Sequence, residues 1–163
     1  MAATIAVLAV VFVGRASSSA AAKAAGDLSH VREEYRAAAG TLKRQTATFD
    51  SLITGAMQNQ DLTELQSAAD SLSRGIANFD VVVTDLNFPA SMSGDKRAMF
   101  QADGNLLEDL AQAPGSGSSV DDITSWLSIV RDDYVAASAA HTALASDLGV
   151  PADSFAGAPN LAV

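Results

Sequence analysis

A chain of 163 residues is long enough for one domain with a sizeable hydrophobic core. Hydrophobic residues make up 48% of it, but aromatic residues only 6%, and alanine is abundant. Because alanine is the strongest helix former, whereas sheets favour β-branched and aromatic residues, this composition predicts packed helices rather than a sandwich or barrel.

The formal net charge is −9, so the chain lacks the positive surface that nucleic-acid binding requires. Up to Gln60 there are six Lys/Arg against four acids, and from Asp61 onward four against fifteen. The basic first part either pairs with acidic neighbours or lies near an anionic membrane. The absence of cysteine excludes disulfides, thiolate metal sites and cysteine nucleophiles.

The N-terminus carries a continuous apolar run, Ala2 to Gly14, followed by small residues from Ala16 to Ala22. The run is shorter than the roughly 20 residues that span a bilayer and matches the core of a signal peptide. No Lys or Arg precedes it. We therefore predict a signal peptide or membrane anchor over residues 1–25, with a buried N-terminal helix as the alternative, and an extracytoplasmic location, secreted or membrane-anchored.

Four segments show apolar residues every three or four positions, the spacing of a helix with one buried face. The first runs from about Asp27 to Met57, and its Gly40 either weakens the helix or marks a close helix–helix approach. The second follows a capping-box sequence, Asp61 with Glu64, and ends before Pro89.

The third segment has Ser91 or Ser93 as its predicted cap. The fourth begins at Ser119 with Asp122 and ends at Gly149 before a proline. The residues predicted to be buried are Leu28, Val31, Tyr35, Ala38 or Ala39, Leu42, Thr46, Phe49, Ile53, Ala56, Leu62, Leu65, Ala69, Leu72, Ile76, Phe79, Val83, Leu86, Met99, Ala102 or Asp103, Leu106, Leu110, Ala113, Val120, Ile123, Leu127, Val130, Tyr134, Ala137, His141, Leu144 and Leu148.

Helices of this length with short connections predict an all-α fold, an antiparallel up-down-up-down four-helix bundle over residues 26–151. Residues 152–163 have no periodicity and are predicted to form a mobile tail. The lone Trp126 is predicted to anchor the edge of the core.

The two histidines are the first candidates for chemistry. His141 lies on the buried stripe of the fourth helix, and His30 lies one position off the stripe of the first. If the bundle binds haem or a metal, His141 with His30 or Met99 would be the cofactor-binding residues, although a core histidine and a surface histidine are the favoured interpretation of the pattern. The paired Glu-x-x-His motifs of di-iron bundles are absent, and we predict no metal site and no resident cofactor.

Catalytic patterns are also absent: there is no Gly-x-Ser-x-Gly elbow and no phosphate-binding glycine loop. Adjacent acids such as Asp132 and Asp133 diverge on a helix and predict a solvated face. Asp103 borders the buried stripe, where it would pair with His141 or an arginine, or lie at the core boundary. An acid–base pair of Asp103 and His141 would require a shared cavity.

The second half of the chain resembles a group of alanine-rich secreted or envelope-associated proteins of actinobacteria. The resemblance covers residues 61–151. The residues that carry it are Phe79-Asp80, Asn87-Phe88-Pro89-Ala90, the segment from Ala102 to Leu110, Ser125-Trp126, and the segment from Ala145 to Pro151. It implies export and a helical fold, and no particular activity.

Taken together, these features predict a non-enzymatic extracytoplasmic helical bundle that acts by protein–protein interaction, as an envelope partner or accessory subunit. The alternative is a bundle that binds a small ligand, haem or a metal.

Overall fold

The structure, a computed structural model, describes residues 6–59, 61–152 and 155, with side chains from residue 27 onward. Over these residues the chain is all-helical, which confirms the predicted fold class. The elements are α1 (Ala6–Asn59), α2 (Leu62–Asp85), a short 3₁₀ turn (Ala90–Met92), α3 (Ser93–Leu110) and α4 (Val120–Leu148).

The predicted signal or anchor over residues 1–25 lies outside the residues whose side chains the structure describes. α1 begins well before the predicted start at Asp27, in keeping with the high helix propensity of the alanine-rich sequence there. In the described part of the chain, no helix combines the length and hydropathy needed to cross a bilayer.

The predicted stripes form one hydrophobic core to which all four helices contribute. Val120 is the exception, because it lies 68% exposed at the rim of an open cavity rather than in the core. Trp126 is buried at the edge of the core as predicted, and its Nε1 donates a hydrogen bond to the Asp109 carbonyl at 2.7 Å.

Three predicted helix caps, at Asp61, Ser119 and Gly149, are confirmed and one is wrong. Ser119 and Asp122 form a reciprocal capping box at the start of α4, and Gly149 ends that helix in the left-handed conformation at φ 67°. Neither predicted serine caps α3, because the preceding 3₁₀ turn leads directly into the helix and places Met92 at the N-cap.

Asp61 caps α2 by accepting hydrogen bonds from the Thr63 and Glu64 amides. The amide of Asp61 itself donates back to the Ala56 carbonyl at 3.0 Å, which ties the cap to the end of α1.

The closest helix contacts join α1 to α2 and α3 to α4. At Gly75 a Cβ atom would overlap the side chain of Gln45, so this glycine allows α1 and α2 to approach. A Cβ at Gly40 would meet nothing within 4 Å, so Gly40 does not mark the close approach considered above.

Hydrogen bonds also join α1 to α4 and α2 to α3. Arg32 Nε donates to the Leu148 carbonyl at 2.6 Å, and Lys96 Nζ donates to the carbonyls of Thr84 and Leu86 at 3.3 and 3.4 Å. Both bases therefore satisfy carbonyls at helix C-termini, where positive charge is favourable.

Candidate functional site

An imidazole and a carboxylate meet at the centre of the core. His141 Nε2 on α4 lies 2.9 and 3.0 Å from the two carboxylate oxygens of Asp103 on α3. The side chains are 2% and 0% exposed. Of the alternatives raised for Asp103, the structure shows pairing with His141.

Helical periodicity places both residues in the core. Asp103 lies one turn after Met99 and one turn before Leu106, and His141 lies between Ala137 and Leu144; these four apolar neighbours are all buried. The two polar residues thus occupy positions that the helix pattern reserves for apolar side chains, where an unpaired polar group is costly.

The short contacts from Nε2 to both oxygens fit one tautomer of the ring. A carboxylate can only accept, so this pair is satisfied when Nε2 carries the proton and donates to an ionised Asp103. Nδ1 of the same ring is buried and has no hydrogen-bond partner among the described residues.

Asp80 on α2 adds a second carboxyl through a hydrogen bond with Asp103. Burial raises the pKa of Asp80 to about 8, and the charge of Asp103 and the hydrogen bond with it act in the same direction. Below that pH Asp80 is neutral and has a proton to donate to the Asp103 carboxylate. We call Asp80, Asp103 and His141 the buried cluster.

Aromatic rings enclose the imidazole. Phe79 and Phe155 lie 4.7 and 4.8 Å from the His141 ring, measured between centroids. Phe155 also packs edge-on against Tyr134, and the Tyr35 hydroxyl donates to the His141 carbonyl at 3.3 Å. Phe155 belongs to the predicted mobile tail, most of which lies outside the described residues.

This enclosure limits the chemistry of the buried cluster. A general base must come within hydrogen-bond reach of a substrate proton. His141 could not do so without displacement of Phe79 or Phe155, and the two open cavities described below are lined by other residues. The arrangement therefore joins α2, α3 and α4, with His141 and Asp103 closed off from solvent and Asp80 partly buried beside them.

The other predicted cofactor-binding residues lie in different surroundings. Met99 is fully buried on α3, one turn before Asp103, which puts it beside the buried cluster. His30 is exposed on α1. Within the described residues, no three His, Cys, Asp or Glu side chains are grouped so that they could hold a metal ion.

Two further carboxyl pairs join α3 to α4. A hydrogen bond with Asp109 raises the pKa of Asp133 to about 6, with burial and the charges of Asp109 and Asp132 adding to it. At the opposite end of the helix pair, a hydrogen bond with Asp147 raises the pKa of Asp95. Acids on these two helices thus lie close enough for one to raise the pKa of the other.

A cavity that opens to solvent lies away from the buried cluster. It measures about 290 Å³ and forms where the end of α1, the start of α2 and the start of α4 meet. We call it the end cavity; its lining residues are Ala56, Met57, Asp61, Leu62, Leu65, Ser118, Val120 and Ile123.

A second, smaller hollow of about 140 Å³ lies between α1 and α2, beside the close approach at Gly75. It is the space left around Gln45 and Phe79 where the helices approach, and no ionisable side chain lines it.

Sequence reasoning identified Asp103 and His141 but missed Asp80 and Phe155. Asp80 follows the buried Phe79 directly, one position off the stripe, and so has no periodic signal. Phe155 lies in a segment without periodicity, where only its aromatic character marks it.

No family model matches this chain, and no curated protein or solved structure was found to be similar to it.

Proposed function

We propose that this chain is a non-catalytic helical bundle that works outside the cytoplasm by binding another protein. One contrast carries the proposal. The imidazole of His141 and the carboxylate of Asp103 are buried in the core, whereas the end cavity, open to solvent, is lined mainly by apolar side chains. Apolar surface that is open to solvent is typical of interaction sites.

The polar groups of the end cavity support a binding role rather than catalysis. Its one carboxylate, Asp61, already accepts two backbone hydrogen bonds as the cap of α2. Ser118 has no imidazole near it in the lining, and a hydroxyl without an adjacent base is a weak nucleophile.

The location proposed for the protein rests on the sequence. The apolar run up to Gly14 and the small residues after it have the pattern of an export signal or of a short anchor. An anchored chain would hold its helices at the membrane surface, where an envelope partner or the other subunits of a complex would meet it.

We also infer an up-down-up-down antiparallel arrangement. Its support is that contacts between helices pair early residues of the bundle segment of one with late residues of the other: Arg32 with Leu148, Lys96 with Thr84, Asp95 with Asp147, and Trp126 with Asp109. Short connections between the helices fit the same arrangement.

Two measurements test the function. A photo-crosslinking residue at exposed Val120 in the native cell should give a defined stoichiometric adduct in the envelope fraction, and the purified protein should not turn over ester, peptide or glycoside substrates. Turnover that is lost in Asp103→Asn, or an adduct confined to the cytoplasm, would contradict the proposal.

A second candidate, small-ligand binding, is favoured by the volume of the same cavity, which is at the lower limit of ligand pockets. A small apolar ligand would raise the thermal midpoint of the purified protein with no protein partner present, whereas a protein-binding site would show no such response to small molecules.

A further inference from the structure

The end cavity lies in a part of the molecule that contains no basic residue. No Lys or Arg occurs between Arg44 and Arg74 or between Arg97 and Arg131. These two stretches supply every residue that lines the cavity. They carry nine acids, which are Asp50, Asp61, Glu64, Asp70, Asp103, Glu108, Asp109, Asp121 and Asp122.

Some of these acids have structural roles. Asp61 and Asp122 cap α2 and α4, and Asp103 is buried. Asp121 is exposed in the first turn of α4 beside the rim residue Val120, and Glu64 is half-buried one turn into α2. Neither carboxylate caps a helix, and both contribute a negative potential near the mouth of the cavity.

Two bases at the other end of the helices are engaged: Arg32 and Lys96 donate to the carbonyls that end α4 and α2. The fold therefore places bases at helix C-termini at one end, whereas the stretches of chain that line the apolar cavity at the other end carry acids and no base.

From this juxtaposition we infer that the end cavity binds one apolar side chain of a partner protein, presented on a cationic segment. The inference rests on the proposed function and specifies its partner class. Leu65 and Ala56 form the buried floor, and Leu62, Ile123 and Val120 form the walls and rim. An aliphatic side chain fills such a space, and lysines or arginines beside it would meet the acidic mouth.

The loop before α4 offers a variant that closes the cavity without harm to the fold. Ser118 lines the cavity at the position before the Ser119 cap, and Ile123 lies four residues beyond the cap. A leucine at 118 would pack on Ile123 as a hydrophobic staple. Ser118→Leu should therefore fill the cavity and keep or raise the thermal midpoint. Ser116→Leu, exposed in the same loop, is the matched control.

The test uses the full chain and a dye-labelled synthetic peptide of leucine and lysine, with binding followed by fluorescence anisotropy. Two comparison peptides replace lysine by glutamate or leucine by serine. We expect only the leucine–lysine peptide to bind. Ser118→Leu should lower the affinity for this peptide about tenfold or more, since burial of a leucine contributes about 1.5–3 kcal/mol. Ser116→Leu should bind like the wild type.

The charge contribution has its own pair of variants. Glu64→Gln with Asp121→Asn removes two acids at the mouth, and Glu33→Gln with Glu34→Gln removes two exposed acids on α1. Only the first pair of substitutions should lower the affinity for the peptide, by about threefold at low salt and by less at high salt.

Equal affinity of the Ser118→Leu and Ser116→Leu proteins for the peptide would overturn the inference, as would binding of the glutamate peptide. Failure of the proposed function looks different. An envelope adduct from Val120 that persists in Ser118→Leu would leave the proposed protein binding intact and overturn only the inference that the cavity is the binding site. Substrate turnover would overturn the proposed function itself.

Discussion

His141 Nε2 contacts both carboxylate oxygens of Asp103, at 2.9 and 3.0 Å, in a core from which solvent is almost excluded. This contact joins α3 to α4, and Asp80 extends it to α2. Buried pairs of this kind are expensive to break but add little net stability over an apolar core, so they fix which helices face each other.

Removal of one partner of the pair should therefore cost much more stability than removal of both. Asp103→Leu leaves the His141 N–H unsatisfied in the core and should reduce the free energy of unfolding by about 3–5 kcal/mol. Asp103→Leu with His141→Leu should recover most of that loss, because both partners become apolar.

Urea unfolding of the single and double variants measures this coupling. Met99→Leu, a volume-conserving change one turn away, should cost less than about 1.5 kcal/mol and controls for general disturbance of α3. Additive losses in the double variant would show that the two residues do not act as a pair.

Stability should fall as pH rises from about 4 to about 8. The folded pKa values of Asp133 and Asp80 are raised to about 6 and about 8 from the ordinary 3.8, so the folded state binds more protons than the unfolded state in this window. The free energy of unfolding then decreases with pH until both groups have ionised. Urea titrations at intervals between these limits measure it, and a value that rises from pH 5 to pH 8 would be inconsistent with these raised pKa values.

Asp80→Asn separates the contribution of the buried cluster from that of Asp133. The amide keeps a donor for Asp103 and cannot ionise, so the decrease between about pH 6 and pH 8 should disappear. At pH 9 the variant should be more stable than the wild type by about 1 kcal/mol, the order of one hydrogen bond. Asp133→Asn should instead make the decrease below about pH 6 shallower, because Asp80 still contributes there, and should leave the upper part in place.

Glycine positions in the helices give a test of the packing. Gly40→Ala and Gly104→Ala should each raise the free energy of unfolding by about 0.5–1 kcal/mol, because a Cβ meets open space at both and alanine favours the helix. Gly75→Ala should gain less than the other two, because the side chain of Gln45 occupies the place of the new methyl group and must move aside. Thermal melts of the three variants measure the difference, and a Gly75→Ala protein as stable as Gly40→Ala would contradict the close approach of α1 and α2.

The sequence was sufficient for the helices and for most of the core, because a buried face repeats every three or four residues. It indicated Asp103 and His141 for the same reason: each interrupts an apolar stripe. Ser119, Asp122 and Gly149 were predictable as helix ends because capping depends on residues close together in the chain.

The rest of the site depends on packing between helices. Whether Asp80 reaches Asp103 depends on how α2 and α3 are rotated about their axes. Asp80 lies one position off the buried stripe, and a residue there can point either into the core or towards solvent. Phe155 closes the cluster from beyond the last helix, where no repeat exists. The exposure of Val120 follows from its place at the start of α4, where the stripe continues but the neighbouring helices leave a cavity.

The enclosure of His141 is the central claim, and histidine modification tests it most directly. The chain contains two histidines, His30 exposed and His141 2% exposed. Treatment of the native protein with diethyl pyrocarbonate, followed by peptide mass spectrometry, should show modification of His30 alone. Phe155→Ala, which removes one ring over the imidazole, should make His141 reactive. Modification of both histidines at the same rate in the native wild-type protein would contradict a sealed cluster and restore His141 as a site for substrate or ligand.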